Sequence, residues 1–598
     1  MIHVRLLAVG LLVCAACARQ PAAAPAPVPP VVFDPYPAAT EVEPLAVTPP
    51  ADIANVADSI AATISDADKV GQLLMPWLLA DYAAFDSEAF ARAAAWTDSF
   101  AVGGIVISIG SPLDAAAKLN ALQRRSRLPL LIAADLEYGA GMRLVGATAF
   151  PMAMAIGATG RELDAYELGR VTALEARAVG IHMTFSPVAD VNNNPENPII
   201  NTRSFGEDPE TVGRLVSAYV RGATEHGLFT TAKHFPGHGD TGIDSHLSLP
   251  IISGCWDRLS SVELVPFQSA VAAGVTAVMT AHIVYACGGT GDSLPATLSP
   301  AVSTGILSDS LGFAGLVVTD ALTMGAIVSR FGAGESAVRA LLAGADVLLM
   351  PADLTAARAA VLGALASGRI TRERLDRSVR KILSLKARAG LFAGRTVSLD
   401  RVPEVVGQRA FQALADDMAQ RALTLVERGP IDQFRTARGR TAVITYAEET
   451  NLHVGTKLVD DLRAAGEAVT PFRLYPPSGT LSYDSARAVI AAHPRVIFAT
   501  SVRPIAWRGH VALPDSLAAM IGATARARPT VLVSFGSPYL LSQVPQFAGS
   551  YLLAWSDSDA TERAAARALS GVAAITGTLP VTLSPERARG FGIRVPER

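Results

Sequence analysis

Along this chain, short apolar runs alternate with longer segments in which apolar residues recur at helical spacing. The runs lie near residues 72–76, 103–108, 130–134, 181–186, 228–233, 276–281, 315–319 and 346–350, and each reads as a strand. Eight strands separated by helix-length segments predict a (β/α)8 TIM-type barrel over 55–395, the commonest closed solution for a parallel sheet covered by helices. Residues 396–421 read as a helical connector. Beyond it, Ala442-Val443-Ile444-Thr445-Tyr446, Arg495-Val496-Ile497-Phe498-Ala499, Thr530-Val531-Leu532-Val533-Ser534 and Tyr551-Leu552-Leu553-Ala554-Trp555 alternate with helical segments. Four to six strands within 422–598 predict an open, doubly wound sheet, a C-terminal α/β sandwich rather than a second barrel. No G-x-G-x-x-G follows the first of these strands, so nucleotide binding has no support there.

Length and composition agree with a multi-domain globular body. At about 150 residues per domain, 598 residues allow two to four domains, and half of the residues are hydrophobic. Lys and Arg number 51 against 54 Asp and Glu, a formal charge of −3, and no basic block is present to neutralise a run of phosphates. Nucleic acid is thereby excluded as an expected partner.

The N-terminus has its own pattern. Residues 1–17 carry Arg5, an apolar run from Leu6 to Val13 and small residues before Cys17, as a secretory signal does. The apolar run falls short of the roughly 20 residues that span a bilayer. Cys14-Ala15-Ala16-Cys17 resembles a bacterial lipobox with Cys17 as the lipidated residue, although Cys14 stands where Leu is usual. Ordinary cleavage near Ala18 is the alternative, and both imply export. Residues 18–54, rich in Pro and Ala, cannot bury enough apolar surface to offset their ordering entropy and read as an extended tether. The expected location is the periplasm or the outer membrane of a bacterium, with membrane contact only through a lipid anchor at Cys17. Beyond the signal, Cys255 and Cys287 either pair in an oxidising compartment or stand as two small apolar residues. Their spacing does not suit zinc.

Chemistry concentrates in Lys233-His234-Phe235-Pro236-Gly237-His238-Gly239-Asp240-Thr241-Gly242-Ile243-Asp244-Ser245-His246, which holds three of the ten histidines. It follows the apolar run Leu228-Phe229-Thr230-Thr231-Ala232, and Pro236 with three glycines cannot continue a helix or a central strand. A polar loop carrying Lys, His and Asp is thus presented beyond the C-terminal end of a strand, where parallel α/β folds place their active sites. The pattern K-H-F-P-G-H-G-D-T-x-x-D-S-H resembles glycoside hydrolase family 3, in particular its β-N-acetylhexosaminidase branch. The order of a barrel followed by an α/β sandwich extends that resemblance over about residues 55–590.

A glycosidase must supply a nucleophile or activated water, protonate the leaving oxygen and stabilise an oxocarbenium-like transition state. Asp320 ends the apolar run Leu316-Val317-Val318-Thr319 and would be costly inside a core, whereas the barrel rim aims it into a site. Val318-Thr319-Asp320-Ala321-Leu322-Thr323-Met324 matches the family's nucleophile motif, so the resemblance implies Asp320 as nucleophile. No second carboxylate occupies a matching motif. In Asp244-Ser245-His246, residues two apart in an extended loop face the same way, so the carboxylate can orient the imidazole, and the family implies His246 as acid/base with Asp244 as its partner.

Asp135 ends the apolar run 130–134, and the resemblance implies that it grips hydroxyls of the terminal sugar, with Arg143, Arg203, Lys233 and His234 as further substrate contacts. In Asp135-Leu136-Glu137-Tyr138-Gly139-Ala140-Gly141-Met142-Arg143, Tyr138 stands where the family has Gly. The long polar connection 189–206, rich in Asn and Pro, is expected to line the substrate. His182 and Asp190 read as core or supporting residues, and His238 and Asp240 as shaping the loop. Neither a metal nor a cofactor is called for.

The resemblance implies a retaining exo-β-N-acetylglucosaminidase acting by double displacement on terminal β-linked GlcNAc of peptidoglycan or chitin-type fragments. A family-3 β-glucosidase, a β-N-acetylglucosaminide phosphorylase and a catalytically silent sugar-binding lipoprotein are the alternatives.

Overall fold

The computed structural model describes residues 52–252, 256–285, 293–544 and 546–598. The signal region and nearly all of the tether, with Cys17, Cys255 and Cys287, lie outside the described residues. The first described helix is Ile53–Thr63, whose cap Asp52 accepts the Asn55 N–H.

Eight parallel strands close into a ring. The first is Leu74–Met75, interrupted by Pro76 and resumed as Trp77–Ala80. Then come Gly104–Gly110, Leu131–Ala134, Met183–Thr184, Thr231–Phe235, Ala277–Thr280, Leu316–Thr319 and Leu348–Leu349. Ladders join strands one to four and strands five to seven, each in parallel register. Bridges Met183↔Phe229 and Val188↔Lys233 connect the fourth to the fifth, and Val318↔Val347 connects the seventh to the eighth. The eighth pairs with the first through Leu74↔Leu348, closing the circle. Strands such as Leu131–Ala134 and Leu316–Thr319 are buried at every position, because helices cover one face and barrel-filling side chains the other. Their continuous apolar runs follow from that double burial.

The helix Arg409–Ala422 leads into a six-stranded sheet. Its spatial order is Thr424–Glu427, Ser550–Leu553, Thr530–Ser534, Arg495–Thr500, Arg440–Tyr446, Ala468–Leu474, and only Thr424–Glu427 runs antiparallel to its neighbour. From Arg440–Tyr446 the chain moves outward to Ala468–Leu474 and then crosses back to Arg495–Thr500. The connections therefore diverge between two neighbouring strands. Such a switch point leaves a crevice at their C-terminal ends.

Barrel and sheet share apolar packing: Met154, Ala155 and Ala158 of helix Ala153–Thr159 belong to the same buried cluster as Leu532, Tyr551, Leu553 and Trp555. Partly buried polar bonds reinforce the contact, with Glu207 accepting from Thr582 N at 2.8 Å and from Thr582 Oγ1 at 2.6 Å. Among the described residues, no helix is long and apolar enough to cross a membrane.

Candidate active site

The C-terminal ends of both sheets open onto one cavity of about 570 Å³. Asp135, Arg143, Arg203, Lys233, His234, His246 and Asp320 all line it, from barrel loops three to seven. Asp244 is fully buried behind His246. The opposite wall comes from the switch point of the second sheet: Glu448, Thr450 and Asn451 follow strand Arg440–Tyr446, and Arg503 to Trp507 follow strand Arg495–Thr500. Sequence reading missed this wall, since its residues carry no local signature.

Four of the sugar-binding candidates are members of one charge network rather than separate contacts. Lys233, 3 % exposed, reaches Asp135 Oδ1 and Glu137 Oε1, each at 2.8 Å. Glu137 also accepts from Arg203 Nε at 3.0 Å and Nη2 at 2.7 Å, a bidentate pair. Arg143 Nη2 holds Asp135 Oδ2 at 3.1 Å. Burial alone would neutralise both carboxylates, but Lys233 and Arg143 hold Asp135 below its ordinary pKa, and Arg203 with Lys233 holds Glu137 far below. For Lys233, burial opposes the charge and the two carboxylates more than restore it. Two anions and three cations thus stand fixed against one another on the cavity wall. Glu137 is the member that sequence reasoning did not single out, although it stood inside the motif linking Asp135 to Arg143.

Asp320 leaves the seventh strand at the rim, its N–H donating to Thr280 O at 3.1 Å. Its Oδ1 accepts the Ala321 N–H at 2.7 Å. It caps no helix, because the next one begins at Gly325. Burial pushes its carboxyl up, but the imidazoles of His282 and His234, the Ala321 N–H and His246 bring it down to about 2. His282 is itself fixed, with Nε2 donating to Ala321 O at 3.0 Å, and burial lowers its pKa. An ionised carboxylate therefore faces the cavity at neutral pH.

The Asp244–His246 pair forms, but through a different local geometry from the extended loop expected. Leu247 N and Ser248 N donate back to Asp244 O at 3.0 and 3.2 Å, so the chain turns here. Asp244 Oδ1 accepts both His246 N at 2.9 Å and His246 Nδ1 at 2.8 Å. The side chain closes the turn on itself, as Asp does in Asx turns, and leaves His246 Nε2 on the cavity side. His246 is about a quarter exposed.

The supporting residues behave as expected. Asp190 accepts from His234 Nδ1 at 2.7 Å and His238 N at 2.7 Å, fixing the ring of His234. His182 Nδ1 accepts the Ile132 N–H within the core. His238 bridges Thr241 Oγ1 and Ser245 Oγ, tying the loop across itself. The 189–206 connection packs beneath this loop: Asn197 donates to His238 O and Gly239 O at 2.9 Å and accepts from Ile199 N and Ile200 N. At Gly239 the approach is so close that a Cβ would lie 1.7 Å from Val191 O. Ile199 and Arg203 of the same connection line the cavity. Among the described residues, no group of three or more His, Cys, Asp or Glu is placed to hold a metal ion.

Comparison with known proteins places this geometry. The profile of the glycosyl hydrolase family 3 N terminal domain matches residues 66–385. The chain belongs to glycoside hydrolase family 3. It is a glycoside hydrolase, and its substrate is a carbohydrate. A beta-N-acetylglucosaminidase/beta-glucosidase of Cellulomonas fimi is 32 % identical over 501 residues, covering 80 % of this chain and 88 % of the relative. A family 3 beta-N-acetylglucosaminidase structure from Paenibacillus sp. is 33 % identical with a TM-score of 0.79, covering 87 % of this chain and 99 % of that one. The beta-glucoside phosphorylase BglX bound to 2FGlc has the same TM-score of 0.79 at 26 % identity, covering 90 % and 98 %. Against the family 3 motif that begins at Asp135, this chain differs at Tyr138, which lines the cavity and whose phenol burial keeps protonated.

Proposed function

We propose that the protein is a retaining exo-β-N-acetylglucosaminidase that removes terminal β-linked GlcNAc from peptidoglycan or chitin-type fragments. The observation that carries this reading is the convergence of a half-buried, ionised Asp320 and an Asp244-held His246 on one cavity. The similarity to two proteins named beta-N-acetylglucosaminidase supports the acyl-amino sugar. In the first step Asp320 bonds to the anomeric carbon as the glycosidic C–O bond breaks, and His246 Nε2 gives its proton to the departing oxygen. In the second, water bonds to that carbon as Asp320 leaves, and the water's proton returns to His246 Nε2. Asp244 stabilises the imidazolium in between. Asp135, Arg143, Arg203, Lys233 and His234 hold the sugar hydroxyls.

The same reading places catalysis in a barrel domain, 55–395, joined by 396–421 to an accessory sandwich, 422–598. Export, a tether over 18–54 and a lipid anchor at Cys17 would set it in the periplasm or on the outer membrane. One observation favours a second reading, a phosphorylase: an imidazole in place of a carboxylate acid/base repels incoming phosphate less, and the chain is similar to a beta-glucoside phosphorylase.

Release of nitrophenol from the N-acetylglucosaminide, glucoside and xyloside, in phosphate and in a non-nucleophilic buffer, tests both. Preference for the N-acetylglucosaminide with free GlcNAc as product supports hydrolysis, and a sugar phosphate as product supports the rival. Asp320→Asn with undiminished turnover refutes the nucleophile.

A further inference from the structure

Asp244 is shared between two parts of the chain. While its Oδ1 holds His246 twice, its Oδ2 accepts the backbone N–H of Trp507 at 2.8 Å across 263 positions of sequence. The Trp507 indole lies edge-on to the His246 imidazole, with ring centroids 5.3 Å apart and planes at 61°. Both rings line the cavity, yet Trp507 itself is 55 % exposed and no part of the core. Its backbone sits at φ 74, at the tip of the segment after strand Arg495–Thr500. Leu247, next to His246, meets the same tip at Gly509.

We infer that Trp507 is a positioning residue for the acid–base dyad, through which the second sheet controls proton transfer in the barrel. The inference rests on the reading of His246 as acid/base. Residues 240–249 form no helix or strand, and the turn at Asp244 holds the imidazole ring itself only through the Asp244 side chain. A buried carboxylate oxygen left without a donor is costly, and the Trp507 N–H supplies that donor. With Oδ2 occupied, Oδ1 remains for His246, and the ring can turn only about the bond to Asp244. The indole edge blocks that rotation on one side. Nε2 is thereby held toward the departing oxygen, and misplacement of a positioned group by an ångström is enough to cost catalysis. Asp320 stands on a different strand and its carboxylate is held by the Ala321 N–H, so Trp507 does not position the nucleophile directly.

This division predicts a split between substrates. A dinitrophenyl N-acetylglucosaminide leaves without protonation, whereas a phenyl N-acetylglucosaminide needs the acid. Trp507→Ala is expected to lower kcat/KM on the phenyl substrate by at least about tenfold, approaching the roughly 100-fold or more that a lost general acid costs, and on the dinitrophenyl substrate by less than about threefold. Turnover of the dinitrophenyl substrate, limited in the variant by unassisted attack of water, should rise with added azide, which needs no base. Trp507→Phe, which restores an aromatic edge while both variants keep the backbone N–H to Asp244, should return the phenyl reaction to within about threefold of the parent. Equal losses on both substrates, a change in KM alone, or no loss at all would overturn the inference. His246→Ala and Asp320→Asn on the phenyl substrate separate the two levels: if either keeps parental turnover, the proposed function fails, whereas if both lose it and Trp507→Ala does not, only the positioning role fails.

Discussion

Glu137→Gln tests whether the charge network is as coupled as its geometry implies. Glu137 is almost fully buried and accepts three bonds, two from Arg203 and one from Lys233, at 2.7 to 3.0 Å. Gln at this position removes the charge and turns one acceptor into a donor facing a guanidinium. Asp135 is then left to balance Arg143, Arg203 and Lys233 alone. Breaking one side of a buried ion pair costs about 3–5 kcal/mol, since the stranded charge is no longer compensated. Urea unfolding at about pH 7 should show a loss of this size, with KM raised because Arg203 and Lys233 lose their fixed positions. The pH dependence has a definite sign. Glu137 is held far below its ordinary 4.5, so between the two values the unfolded chain binds a proton that the folded one does not. Its contribution is complete above pH 4.5 and is lost as pH falls through the depressed value. Parent and variant should therefore converge in acid. A loss below about 1 kcal/mol near neutrality, or a gap that stays constant into strong acid, would refute the network.

Three further perturbations follow. Asn197→Ala deletes three donor and two acceptor bonds in a fully buried place, and at about 1–3 kcal/mol for each stranded partner should cut thermal stability and activity together, measured by calorimetry and turnover. Lys386 is buried with Gln72 Oε1 as its partner at 2.5 Å, and burial pushes it from 10.5 down to about 7. Between those values the unfolded chain holds the extra proton, so this group makes stability rise with pH; at about 1.36 kcal/mol per pH unit the gap is worth roughly 5 kcal/mol. Lys386→Met should thus melt higher than the parent near pH 6 and lower near pH 10, where only the lost bond to Gln72 remains, by about 1 kcal/mol. Glu562 accepts from Gly455 N and Leu458 N, and burial raises it from 4.5 to about 7. Here the folded chain holds the extra proton, so stability falls as pH rises from 4.5 to about 7, and Glu562→Gln should flatten that fall in melting curves.

Much of this architecture is written locally. A strand covered on both faces must be apolar throughout, so eight such runs mark the barrel strands whatever their neighbours are, and the structure begins or ends them within a few residues of those positions. A carboxylate at the end of such a run, as at Asp135 and Asp320, has no stable place in the core and must face the rim. The Asp244 and His246 pairing lies within three residues and needed no fold to bring it together, although a turn rather than an extended loop makes it.

Other features arise only when distant segments meet. Glu137 reads as one more acid in a motif until barrel closure sets Lys233, some 98 positions from Asp135, and Arg203, 66 from Glu137, against it. The second wall of the cavity depends on where the strand order of the C-terminal sheet reverses, which is a property of pairing and not of any one strand. Burial of apolar runs dictates that strands form and where they stop. Which loops face each other across the mouth, and so which charge finds a partner or an imidazole a wall, is decided by ring closure and sheet docking, because those contacts join residues that no local pattern relates.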